Sequence, residues 1–297
     1  MHDRDFLLRS VGNIAQLASI RRCELADGRA KGCRIVEVNN GGGLAFTLME
    51  SKALDIVDFS YKGVNLCFKA KAGLSAPEFF NPHSQEFERN FEGGLLFTSG
   101  LLNVGSPCVD EGMELSQHGR IGQSPIEALG IEKAWQGDEY LMKVSGEARE
   151  AALFRENLVL RREVTTSLGS KSVSVRDSVE NQGFERQPLM ILYHINLGYP
   201  LLSKAARFVA PLKSVQARDA AAEAGKKDFN RFSGPIDHEA EQVFYLDALH
   251  NAEGTTMVGL VNDELELGLG IEFNTKNLPR LIEWKSMGWL VKGTPSS

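Results

Sequence analysis

The chain has 297 residues, 42% of them apolar and 24% charged, an ordinary balance for a globular protein long enough to bury a core without staples. A formal net charge of −6, with no basic stripe, argues against nucleic acid and anionic membrane as partners. Cys23, Cys33, Cys67 and Cys108 are widely spaced, with no CxxC pair and no His at zinc-finger spacing. That pattern predicts reduced thiols and no metal centre.

The N-terminal stretch MHDRDFLLRSVGNIAQLASIRRC has no basic start, apolar centre or small-residue cleavage site. No run approaches the roughly 18 apolar residues of a membrane helix, and no Asn-x-Ser/Thr sequon occurs, so a cytoplasmic location is expected. Residues 1–31 are expected to be partly irregular or helical, with FLLRSVGNIAQLASI as the helix candidate. From there short alternating segments dominate. GCRIVEVNNGGGLAFTLME predicts strand, turn and strand, with Asn39 to Gly43 turning, and ALDIVDFSYKGVNLCF repeats the style.

The stretch from Ala70 to Pro125 is irregular, rich in Gly, Pro, Phe and Asn, and too aromatic for disorder, so a functional loop region is expected. In LVLRREVTTSLGSKSVSVRDSVENQG, Leu158, Leu160, Arg162, Val164 and Thr166 share one parity; Gly169 turns the chain, and Val173 to Val179 return. VQARDAAAEAGKKDF is a second, exposed-looking helix candidate. EQVFYLDAL, TTMVGLVND and ELGLGIEFNT close the chain as further strands. Strands at this spacing, with almost no helix between them, predict an all-β fold: one large antiparallel β-sandwich domain over residues 1–297.

Two places carry chemistry. In ILYHINLGYP, strand parity puts Ile191, Tyr193, Ile195 and Leu197 on one face and Leu192, His194, Asn196 and Gly198 on the other. The second face is polar at its centre and ends in a glycine that leaves room for close approach, the pattern of a strand lining a pocket; a solvated sheet face is the alternative. In ELSQHGRIGQSP, His118 and Arg120 stand among small residues and can donate to hydroxyls or carboxylates, though HGR standing alone is more often a plain surface loop.

Together, the HGR loop and a later strand bearing YHxNxGYP resemble the galactose mutarotase-like superfamily, and within it the DUF4432-like branch of aldose 1-epimerase-like proteins. FEGGLLFTSGLLNVGSP and LPRLIEWKSMG resemble that branch too, in the same order, so the likeness runs roughly from Gly32 to Gly288. It implies a supersandwich with a sugar site on one sheet, and a carbohydrate-active isomerase that interconverts the anomers of an aldose or modified hexose by acid/base ring opening, with no metal and no cofactor. The alternative is a carbohydrate-binding protein on the same fold with little or no catalysis.

By motif, His194 matches the general acid and His118 the second His, which holds the sugar oxygens; both are the expected catalytic residues, with Arg120 and Asn196 as substrate contacts. An imidazole suits the role because it titrates near neutrality. Asp247 is the best candidate for accepting a sugar hydroxyl. Trp284 is a candidate for stacking on a sugar ring, a core or rim role being the other reading of it.

Two departures stand out. The branch expects an Arg where this chain has Lys52, and a Glu general base on a strand after the WKSMG-like segment. Here MGWLVKGTPSS carries no acid after Glu283, as if that strand were truncated or altered, which leaves the base unassigned; Asp247, Glu272 and Glu283 are the substitutes. A sheet edge left bare in that way would want cover, which makes a homodimer one possible assembly.

Overall fold

A computed structural model describes residues 3–83 and 86–288. The chain divides into two compact units, Met1–Gly198 and Tyr199–Ser297. In the first unit the strands are β1 (Ser19–Glu24), β2 (Arg34–Asn39), β3 (Leu44–Met49), β4 (Asp55–Tyr61), the short β5 (Val64–Asn65), β6 (Phe68–Lys69) and β7 (Gly93–Gly94), β8 (Leu96–Leu101), the hairpin β9 (Cys108–Asp110) and β10 (Met113–Leu115), then β11 (Ile126–Gln136), β12 (Glu139–Ala151), β13 (Asn157–Ser167), β14 (Ser174–Asn181) and β15 (Met190–Ile195). One sheet runs β1-β2-β3-β4-β8-β15, with β5 on β4; a second is the antiparallel meander β11-β12-β13-β14.

Alternation explains the second sheet. Along β12, Tyr140, Met142, Val144, Ala148 and Glu150 are buried, and the residues between them are more open. Along β13, Leu158, Leu160, Arg162, Val164 and Thr166 are buried, the parity expected from the sequence. Arg162 reaches the first sheet from there. Its guanidinium donates to Asp55 on β4 (2.8 Å), to Thr98 Oγ1 on β8 (2.8 Å) and to Asp177 on β14 (2.6 Å). The residues of β8 and β15 with the parity of Thr98 and Tyr193 therefore face the second sheet, and those with the parity of Phe97 and His194 face away from it.

The second unit holds β16 (Ala206–Val209), β17 (Leu212–Ala217), the helix α2 (Ala220–Gly225), β18 (Gln242–Ala248), β19 (Thr255–Asn262), β20 (Leu267–Asn274) and β21 (Leu281–Lys285). They form two three-stranded antiparallel sheets, β16-β19-β20 and β17-β18-β21. Ala222, Phe244 and Leu246 make its core, with Phe208, Phe229 and Leu281 against them.

Several expectations are corrected. The first helix candidate shortens to α1 (Arg4–Ser10), because Gly12 and Asn13 break it, and its last residues open β1. The second candidate shortens to α2, capped by Asp219, and it is not simply exposed: Ala222 lies fully in the core. The Ala70–Pro125 stretch is not all loop. It contributes β8, a central strand buried on both faces and therefore without alternation. The long hairpin β11–β12 is the clearest feature that the chain-order reading passed over.

Candidate functional site

His194 lies near the end of β15, opposite Phe97 on β8, on the face turned away from the second sheet. Beyond Ile195 the strand breaks. Asn196 sits buried in the bend, its N–H on Leu95 O and its carbonyl taken by Phe68 N–H. The Asn196 side chain donates to the His194 carbonyl at 3.1 Å and also hydrogen-bonds the His194 side chain, so it fixes the imidazole's position. The space at Gly198 is filled by the chain itself: a Cβ there would lie 2.4 Å from Cys67 O. That glycine serves a backbone bridge between Cys67 and Leu197, not a ligand.

His118 reaches the same place from the HGR loop. The loop is pinned to β8 by Gly100 N–H on His118 O and Arg120 N–H on Gly100 O. Gly119 is obligatory, since its φ is +73° and a Cβ would sit 2.1 Å from Gly100 O. His118 itself adopts a left-handed φ of +59°, a strained conformation of the sort held where a side chain must be aimed. The Gly105 N–H donates to Nδ1 at 3.3 Å, with Ser99 Oγ at the same distance. An N–H can only donate, so Nδ1 accepts and the neutral ring carries its proton on Nε2.

The two imidazoles meet edge to face, ring centroids 5.6 Å apart. Phe87 (5.1 Å) and Phe97 (6.5 Å) flank His118, and Phe91 (6.0 Å) flanks His194. These aromatics come from the irregular stretch and from β8. Burial pushes the His118 pKa down to about 4, and a charge on His194 adds to that. Burial also lowers His194, with the Asn196 hydrogen bond opposing. Burial thus disfavours a charge on either ring, a charge on His194 disfavours one on His118 further, and His118 stands as a neutral Nε2–H donor.

Arg120 is exposed and lines a separate cavity that neither imidazole lines. Asp247, on the open side of β18, is 3.6 Å from Lys213, and Trp284 on β21 donates its indole N–H to Glu241 (2.8 Å); both belong to the second unit. Lys52 is wholly buried and spends its ammonium on Glu92 at 2.8 Å. Glu272 lies on β20 and Glu283 on β21. The segment after Gly288, where the branch expects its Glu, lies outside the described residues. No group of three or more His, Cys, Asp or Glu among the described residues is placed to hold a metal ion, and all four cysteines are free thiols.

A histidine pair set among phenylalanines on a sandwich sheet can be compared with known proteins. Residues 30–292 match the model of a domain of unknown function, DUF4432. The chain belongs to the DUF4432 family. A crystal structure of a Klebsiella pneumoniae protein, provisionally described as an aldose 1-epimerase, is 26% identical, with a TM-score of 0.88 over 93% of this chain and 74% of that one. A galactose mutarotase-like protein from Clostridium acetobutylicum shares the fold at 15% identity, with a TM-score of 0.50 over 84% of this chain and 82% of that one. No curated protein matches the chain. This DUF4432 chain is thus an all-β, galactose mutarotase-like sandwich with an epimerase-like fold, and no described helix is long and apolar enough to cross a membrane.

Proposed function

We propose that the chain is an aldose 1-epimerase-type isomerase, acting in the cytoplasm on an aldose or modified hexose. The observation that carries this reading is the edge-to-face pair His118–His194, 5.6 Å apart and walled by Phe87, Phe91 and Phe97. A pyranose presents two oxygens on one carbon, the ring oxygen and the anomeric hydroxyl. His194, the general acid by motif, in its protonated form delivers a proton to the ring oxygen as the C1–O bond breaks. His118 holds a sugar oxygen through Nε2–H. Solvent water takes the proton of the anomeric hydroxyl, because no carboxylate is identified for that step. Rotation about C1–C2 and reclosure, with the protons returned, gives the other anomer.

Anomer exchange followed by NMR over a panel of aldoses tests the reading. Acceleration should drop on the order of 100-fold or more in His194→Ala. It should rise as the pH falls from 8 towards 5, since the His194 acid form fills only below the usual imidazole range. Exchange equal in the wild type and His194→Ala would overturn the assignment. Saturable line broadening of one sugar without acceleration would instead favour the second reading, a carbohydrate-binding protein; the absence of a carboxylate base among the residues placed at the pair is what supports it.

A further inference from the structure

The HGR loop has a second side. Behind it lies a cavity of about 260 Å³, enclosed by the end of β8, the β9–β10 hairpin, the loop itself, the end of β12 and the turn that follows. His118 faces the other way, towards Phe87 and Phe97.

The polar groups at this cavity are incompletely used. Glu150 is buried, 5% exposed, on the inward parity of β12. Its Oε2 accepts the Leu101 N–H at 2.8 Å, while its Oε1 has no hydrogen-bond partner among the described residues. The exposed Arg120 guanidinium makes no side-chain hydrogen bond among the described residues, but its charge acts on Glu150, opposing the burial that pushes that carboxyl's pKa up to about 7. Glu156, also buried, has only a loose ion pair with Arg155 at 3.7 Å. A buried carboxyl with one oxygen open to the cavity, and a nearby guanidinium with spare donors, can share a ligand between them.

The chemistry of that ligand follows from the lining. Glu114, Glu150 and Glu156 nearly balance Arg120 and Arg155, which disfavours a strongly charged guest. Vicinal hydroxyls satisfy both groups at once, donating to Glu150 Oε1 and accepting from Arg120. Met113 and Leu115 offer an apolar wall to the C–H face of a ring. The volume lies just under the roughly 300 Å³ at which pockets for drug-sized ligands begin, so it suits one ring.

We propose that this cavity is a second ligand site, distinct from the imidazole pair, that takes a neutral polyhydroxylated ring of monosaccharide size between Glu150 and Arg120. It rests on no reading of the imidazoles. The test uses the full chain and two probes, D-glucose and myo-inositol; the latter has no anomeric carbon and so cannot turn over. Backbone amide shifts of Gly112 and Gly119 are followed as each probe is titrated.

Saturable shifts are expected with at least one probe, weakened about tenfold or more in Arg120→Met and in Glu150→Gln, and unchanged in His194→Ala. Glutamine keeps an acceptor for the Leu101 N–H, and Arg120 is exposed, so both variants should fold. The absence of saturable shifts with either probe, equal affinity in both cavity variants, or loss of binding in His194→Ala would each overturn the proposal. Failure of anomer exchange, by contrast, would leave it standing.

Discussion

Two buried polar clusters lie on opposite faces of the same pair of strands, β8 and β15. On the face towards the second sheet, Arg162 binds Asp55 and Asp177, Thr98 binds Asp55 through both its N–H and its hydroxyl, and Tyr193 donates to Asp177 at 2.8 Å. Every charge there has its counterpart. On the other face His118 and His194 sit among phenylalanines, and burial disfavours the charged form of both. The difference separates a cluster that holds strands together from one to which the proposed function assigns a sugar. A saturated network has nothing left to offer a ligand, whereas His118, its Nδ1 taken by the Gly105 N–H, carries its proton on Nε2.

The largest way to break this comparison is Arg162→Met. It strands Asp55 and Asp177 beneath the strands that carry the imidazoles. Loss of one partner from a buried network costs about 3–5 kcal/mol, so chemical denaturation should show a drop of that size. A loss under about 1 kcal/mol would mean that the network is not the clamp argued here.

Glu283 in the second unit is a third kind of buried polar group, neither saturated nor paired with a titrating neighbour on a ligand face. Its Cα partner across the sheet is Phe244, in the core, and neither carboxylate oxygen has a hydrogen-bond partner among the described residues. Burial pushes its pKa up to about 8, with Lys285 opposing. A carboxyl whose folded pKa is raised binds its proton more tightly when folded. Its penalty is therefore absent below about pH 4.5 and grows as the pH climbs to 8. Glu283→Gln should match the wild type at pH 4.5 and exceed it by on the order of 3 kcal/mol at pH 8. Parallel stability profiles for the two proteins would show that the carboxyl is solvated.

Much of this was legible in the sequence. The parity of β13 and the β2–β3 turn follow from alternation, and the resemblance of HGR and YHxNxGYP led to two histidines that the fold does bring together. What stayed hidden has physical causes. Strand β8 is buried on both faces, so Leu96 to Leu101 show no period of two. The roles of Asn196 and Gly198 depend on a bend after Ile195 that strand parity cannot foresee. Arg120 and His118 are two residues apart, yet with positive φ at His118 and Gly119 only Arg120 lines the cavity behind the loop, while His118 packs against Phe87 and Phe97. No local pattern marks Glu150 either, since only its distant neighbours from the HGR loop and the β9–β10 hairpin make its spare oxygen meaningful.

The finest test of the comparison compares adjacent residues. Tyr193 and His194 are neighbours on β15 with opposite parity, one on each cluster. Tyr193→Phe removes a single hydroxyl from Asp177, which keeps both of its bonds from Arg162. The expected cost is about 1 kcal/mol of stability with anomer exchange unchanged. His194→Ala should do the reverse, removing exchange while leaving most of the stability, because its ring packs chiefly against Phe91 and His118 and not into the inter-sheet layer. If Tyr193→Phe slowed exchange as much as His194→Ala, the two faces of β15 would be coupled, and the saturated network would be part of the chemistry and not only its support.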